Sequence, residues 1–169
     1  MATAEERYME WLRDAHAMEQ QAETMLSSMA GRIQNYPDVR AKIEMHLDQT
    51  RSQAAQIERC IERRGGDTST LKDIAGKVMA FGQGVGGMMM GDEIIKGAMA
   101  SYAFEQLEVA TYRVLIAAAD KLGDTETSTT CANILREEEE MARWLLENLG
   151  NLTERYLERE ETPELEAQT

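Results

Sequence analysis

The chain has 169 residues, 29% of them charged, and a formal net charge of −13 at pH 7. That acidity excludes nucleic acid and anionic membrane surfaces as partners, because both select a basic footprint. Two prolines, a 5% aromatic content and twelve methionines suit one all-α domain whose irregular interhelical gaps take flexible side chains.

The charged opening through Glu5, Glu6 and Arg7 reads as a chain without a signal peptide. Cys60 and Cys131 fall inside helical patterns with no zinc-like spacing. They are expected as buried reduced thiols in a cytoplasmic protein.

The first predicted helix covers about residues 3–34. Its expected seam is Trp11, Ala15, Met18, Ala22, Met25 and Met29, spaced by fours and threes. Glu19 lies beside that seam and is partly inward, whereas His16 is expected to project towards solvent. Pro37 breaks the pattern and opens the second helix, about residues 37–64, which Gly65 and Gly66 end. Ile43, Leu47, Thr50, Ala54, Ile57 and Ile61 form its seam, with His46 and Gln53 inside the apolar arc and Gln49 at its edge. A histidine so placed reads as a satisfied core or rim residue.

Residues 67–91 read as a crossover. Leu71, Ile74, Val78 and Phe81 predict a short amphipathic helix, followed by a Gly/Met-rich run over 82–91 that packs across the bundle, acts as a lid or forms a dimer contact. That run is too short and glycine-rich to span a bilayer as a helix.

The third predicted helix runs from about Asp92 to Leu122, with Ala98, Tyr102, Val109, Tyr112 and Ile116 on one stripe. Glu105 sits near the middle of that stripe and Glu108 on its edge. After the Gly123 turn, the fourth helix starts at Asp124 or Thr125. It presents Cys131, Ile134, Leu135, Glu138, Met141, Ala142, Leu145 and Leu149 on one face. Gly150 is expected to end it, leaving a short C-terminal helix from Asn151 or Thr153 to Glu160. The expected organisation is one domain over 1–160 and a tail over 161–169. Two hairpins joined by one long connection predict an antiparallel four-helix bundle.

A carboxylate in the middle of a buried face is costly unless something pairs with it. Glu105 and Glu138 are each central on their stripes, and they lie at similar distances on either side of Gly123. On antiparallel neighbours they can share one level of the core. Either one keeps a proton or a cation sits between them. Glu108 and Glu19 can add oxygens at that level, and three or four inward carboxylates suit hard or borderline cations. The bland alternative is satisfaction of each acid by Tyr102, Tyr112, His46 or Thr50. In the run 136–140 only Glu138 faces the apolar arc; Glu137 is placed to approach from the side, and Glu139 and Glu140 read as solvated. Carboxylate di-iron bundles pair Glu with His three residues later. Here those positions hold Ser52 after Gln49 and Met141 after Glu138.

Five stretches carry a resemblance to a known family: WLRDAHAMEQ (11–20), HLDQTRSQ (46–53), GDEIIK (91–96), YAFEQLEVATY (102–112) and EEEEMARWL (137–145). They run in order and resemble the YciE/YciF group of ferritin-like bacterial stress proteins. The resemblance implies a rubrerythrin-like or ferritin-like bundle able to hold up to two iron or manganese ions. It places Glu19, Glu105, Glu108 and Glu138 at the ligand positions, with Gln49 at the position where relatives tend to carry Glu; periodicity alone turns His46 or Gln53 inward instead, so the second helix's contribution stays open among the three.

Two functions are therefore expected in competition. One is a carboxylate-bridged metal protein reacting with oxygen or peroxide, or handling metal. The other is a non-enzymatic dimeric stress protein with a degenerate or empty site. A homodimer is expected in both.

Overall fold

The computed structural model describes residues 1–66 and 93–162. The expected crossover helix, the 82–91 segment, the Asp92 cap and the tail from 163 onward lie outside the described residues. Among the described residues there are four helices: α1 (Ala4–Arg32), α2 (Pro37–Arg63), α3 (Glu93–Leu122) and α4 (Thr125–Glu160). They form two hairpins, α1 with α2 and α3 with α4, and α1 also packs on α3 and α2 on α4. None of the described helices is long and apolar enough to cross a membrane.

Each helix end has a local cause. Thr3 and Glu6 form a reciprocal capping box, with Thr3 N donating to Glu6 Oε2 at 2.7 Å and Glu6 N donating to Thr3 Oγ1 at 3.1 Å. Pro37 occupies the first turn of α2, where a missing N–H costs nothing. Gly65 (φ 73°) and Gly123 (φ 72°) take the left-handed conformation that closes α2 and turns α3 into α4. Asp124 caps α4 by accepting from Thr127 N at 3.2 Å.

Asp124 also fastens the end of the bundle. Its side chain is 1% exposed and accepts from Arg63, from Arg64 Nη1 at 2.9 Å and from Tyr8 Oη at 3.1 Å. Burial alone would raise its pKa, but the bonds from Thr127, Arg63 and Tyr8 outweigh burial and hold it at about 2.

Two helix faces differ from the sequence expectation. Trp11 is 39% exposed, so the α1 seam runs instead through Tyr8, Leu12, Ala15, Ala22, Leu26 and Met29. Ala15, Met18, Ala22 and Met29 of the expected seam are buried, and Trp11 and Met25 are its less buried members. On α3 the buried line is Ser101, Phe104, Glu105, Glu108, Tyr112, Leu115 and Ala119, while Tyr102, Val109 and Ile116 are only half-buried.

The expected C-terminal segment is helical, but it continues α4 without a break at Gly150. That glycine has no positive φ. Glycine inside a helix costs about 1 kcal/mol relative to alanine. Here Leu152 is buried, Leu149 and Tyr156 pack on the same core cluster, and Arg155 makes a two-pronged pair with Asp38 at 2.8 and 2.9 Å.

The core has two apolar clusters. One gathers Tyr8, Leu12, Ile57, Ile61, Leu115, Cys131 and Ile134. The other gathers Leu26, Tyr36, Ile43, Ile94, Met141, Leu145 and Leu152. Each helix places buried polar residues at or near the junction of the two: Glu19 on α1, His46, Thr50 and Gln53 on α2, Glu105 and Glu108 on α3, and Glu138 on α4; His16, Ser101 and Thr127 are buried elsewhere.

Candidate metal centre

This polar layer is the candidate site. His46, Glu105, Glu108 and Glu138 each offer one ligand atom, and those four atoms lie within 4.8 Å of one another. All four residues are at most 1% exposed. His46 Nε2 stands 3.2 Å from Glu105 Oε2 and 3.4 Å from Glu138 Oε2. Both are ion-pair distances without hydrogen-bond alignment.

Unpaired atoms dominate the layer. Glu19 Oε2, His46 Nε2, Glu105 Oε2, both oxygens of Glu108 and both oxygens of Glu138 are buried and have no hydrogen-bond partner. A buried polar group left unsatisfied costs roughly 1–3 kcal/mol. Seven such atoms at one level of a core are far from the usual satisfied state of buried polar groups.

The remaining contacts orient the donors. Gln49 is half-buried, and its Oε1 lies 3.1 Å from His46 Nδ1. With the Nδ1–H donated to Gln49, Nε2 is the ring nitrogen that faces the carboxylates. Tyr112, fully buried, donates to Glu19 Oε1. Thr50 turns back and donates to the His46 carbonyl at 3.1 Å, so it satisfies none of the carboxylates.

The electrostatics follow from burial and crowding. Burial pushes the Glu19 and Glu108 carboxyls well above the usual range, and neighbouring carboxylates push further in the same direction. Burial also raises Glu105, and though His46 draws it back it stands at about 7. For His46, burial works to lower the pKa, yet contact with Glu105 and Glu138 outweighs it and carries the ring up to about 11. Glu138 goes the other way: burial would raise it, but His46 more than compensates and it is lowered. These shifts favour the charged form of His46 and of Glu138 and disfavour ionisation of Glu19 and Glu108.

Of the residues singled out in the sequence, Glu105, Glu108 and Glu138 converge. Glu19 stands alongside, held by Tyr112 and close enough to feel Glu138, His46 and Glu105 electrostatically. Gln49 meets the cluster through His46. The sequence reading favoured a satisfied core or rim histidine at His46 and left open which of Gln49, Gln53 and His46 faces the site; His46 lies inside the cluster. His46, Thr50 and Gln53 are all buried on one stripe of α2. That polar run inside an apolar arc was the available signal. His16 is also buried rather than solvent-facing, because the α1–α2 contact is wider than its seam. Burial lowers its pKa and Glu58 partly counters this. Glu137 is half-buried and accepts from Gln53 Nε2 at 2.8 Å. Glu139 pairs with Arg113, and Glu140 lies 3.5 Å from Lys42 at the surface.

Two helical hairpins around a buried layer of carboxylates and one histidine define a ferritin-like four-helix bundle. The chain belongs to the family described as a domain of unknown function, DUF892, whose model matches residues 3–158. A solved protein from Xanthomonas campestris pv. campestris is 40% identical, with a TM-score of 0.79 over 94% of this chain and 99% of that one. YcfI from Rhodopseudomonas palustris is 24% identical, with a TM-score of 0.69 over 85% of this chain and 93% of that one. The Escherichia coli stress protein YciF is 20% identical, with a TM-score of 0.72 over 89% of this chain and 99% of that one. The last two share the fold.

Proposed function

We propose that this chain is a ferritin-like stress-response protein that holds iron or manganese in its bundle core. His46 Nε2, Glu105, Glu108 and Glu138 hold the ion, Glu19 flanks them, and Gln49 orients His46. The observation that carries this reading is the set of buried donor atoms without partners, all on one level. Carboxylate oxygens with a single imidazole suit Fe(II) and Mn(II), both of which accept mixed O/N donors. An iron or manganese ion bound here would supply one-electron redox chemistry towards oxygen or peroxide.

The protein's own part is then positional. The two apolar clusters exclude bulk water from the layer. Gln49 fixes the imidazole, and Tyr112 holds Glu19 by one oxygen, leaving the other free. The E. coli neighbour's description as a stress protein supports the physiological setting. The homodimer expected from the sequence stays part of the proposal. Sedimentation equilibrium tests it, and a single species at the chain mass of 19.0 kDa overturns it.

The test of function is elemental analysis after anaerobic loading with Fe(II) or Mn(II), on the wild type and on the Glu105→Gln/Glu138→Gln double variant. Metal retained by the wild type and lost from the variant is expected, followed by consumption of oxygen or peroxide by the loaded protein. Metal no higher than in the double variant would leave the alternative, a non-enzymatic stress protein whose layer works empty.

A further inference from the structure

The four converging residues are sealed from solvent, so a cation can reach them only between helices. The walls differ at this level. Between α1 and α3 stand Ala15, Phe104 and Tyr112, all buried, with the Tyr112 hydroxyl committed to Glu19. Between α1 and α2 the Arg51 guanidinium spans to Glu23 at 2.8 Å, placing a fixed positive charge over that seam. Between α3 and α4 the Arg113 guanidinium does the same with Glu139.

The α2–α4 seam also carries a cation, with Lys42 3.5 Å from Glu140, but Lys42 lies one turn before His46, whereas Gln53 lies two turns beyond it at the other end of the layer. Gln53, fully buried, lies two turns from His46 on the inward stripe of α2. Its amide sits beside Glu138 on the inner side and donates to Glu137 Oε2 at 2.8 Å on the outer side. Its own carbonyl, Oε1, is buried with no partner. Glu137 is half-buried and so reaches solvent. From outside to inside the order is a solvent-touching carboxylate, an unpaired amide oxygen, and the cluster's own Glu138. Each step offers a hard oxygen to a cation that has shed part of its water.

We propose that Gln53 and Glu137 form the passage through which a divalent cation moves between solvent and the buried cluster. This rests on the metal-binding reading above. A passage residue lowers the barrier in both directions, so its loss slows entry and exit together and leaves affinity alone. A mere tie between α2 and α4, or a support for Glu138, changes affinity or stability instead.

The experiment mixes metal-free protein with Co(II) alone under anaerobic stopped flow, follows the visible absorption of bound Co(II), and measures exit by chelator chase. The variants are Glu137→Gln, Gln53→Leu and, as a charge-matched control on another seam, Glu139→Gln. Glu137→Gln lies at the surface and carries the test should Gln53→Leu fold poorly. Entry and exit rates are expected to fall by about tenfold, the lower end of what focused negative charge contributes to cation association. Kd stays at the wild-type value, and Glu139→Gln keeps wild-type rates. An unchanged entry rate in Glu137→Gln, or a weakened Kd at an unchanged entry rate, overturns the passage and leaves the metal site standing. A wild type that takes up no Co(II) overturns the metal site and the passage with it.

Discussion

Glu108 offers the clearest separation of function from stability. Its carboxyl is fully enclosed, and neither oxygen has a hydrogen-bond partner. A side chain kept for stability would not be left so. Replacing it by leucine removes the unsatisfied polar atoms, a gain of roughly 1–3 kcal/mol. Refitting a branched apolar side chain of similar size takes back up to about 1.5 kcal/mol. The metal-free Glu108→Leu protein is therefore expected to be more stable than wild type by about 1 kcal/mol. In a chain of this length that raises Tm by roughly 2–4 °C. The same variant should bind metal weakly and lose the Tm increase that metal gives the wild type.

The sign of the pH dependence is fixed as well. The Glu108 carboxyl is held well above its unfolded value by burial and then by the charge of Glu19. The folded state therefore binds more protons, and its stability falls as pH rises above the ordinary carboxylate range. Without that group the fall is shallower, so the advantage of Glu108→Leu should widen between pH 6 and pH 8.5. Urea titrations of chelator-treated protein followed by circular dichroism measure both effects, with an unchanged m-value as the two-state control. A metal-free Glu108→Leu protein less stable than wild type at pH 8.5 would refute the reasoning, because it would make Glu108 a structural group.

Gln49→Leu removes the acceptor from His46 Nδ1. Outer partners of metal-bound histidine are worth about 10–100-fold in affinity, so Mn(II) binding followed by calorimetry should weaken by at least about tenfold while the helix content is kept. Gly150→Ala should stabilise the protein by about 0.5–1 kcal/mol, because the added methyl meets nothing within 4 Å and the backbone is already helical. A destabilised Gly150→Ala, read by thermal melting, would contradict a continuous α4. Metal affinity should climb with pH by about tenfold per unit for each proton displaced, and a flat profile between pH 6 and pH 8 would contradict the protonated layer.

Much of the bundle was legible because its punctuation is local. Pro37 allows only a helix start, and Gly65 and Gly123 adopt the backbone that ends one. Glu105 and Glu138 stood out for the same kind of reason: a charge at the centre of an apolar stripe is visible without knowing its neighbours. What failed needed distances between helices. Periodicity placed His46 in an apolar arc, but only the register of α2 against α3 and α4 sets its Nε2 between two carboxylates. Gly150 looked like a terminator because its local cost is real. The anchoring by Leu152, Tyr156 and Arg155 that outweighs it comes from packing on α2 and the second apolar cluster. Trp11 misled because size and hydrophobicity suggest burial, whereas the α1 face that meets the core carries Tyr8, Leu12 and Ala15 and leaves Trp11 at its edge.

Charge balance explains how a core can keep such a layer. Four carboxyls and an imidazole at one level would be intolerable if every acid were ionised. Burial and crowding act against this by favouring protons on Glu19 and Glu108, while His46 and Glu138 favour each other's charged forms and Glu105 stands at about 7. A divalent ion held by His46, Glu105, Glu108 and Glu138 requires the protons of His46 and Glu108 to leave, together with the share still on Glu105. The ion's two positive charges then replace roughly the charge those protons carried, so the core stays close to neutral in both states. Protons and metal thus compete for one set of oxygens and one nitrogen. Under the proposed reading, that exchange gives donor atoms without a partner inside the protein two alternative occupants, protons or an ion.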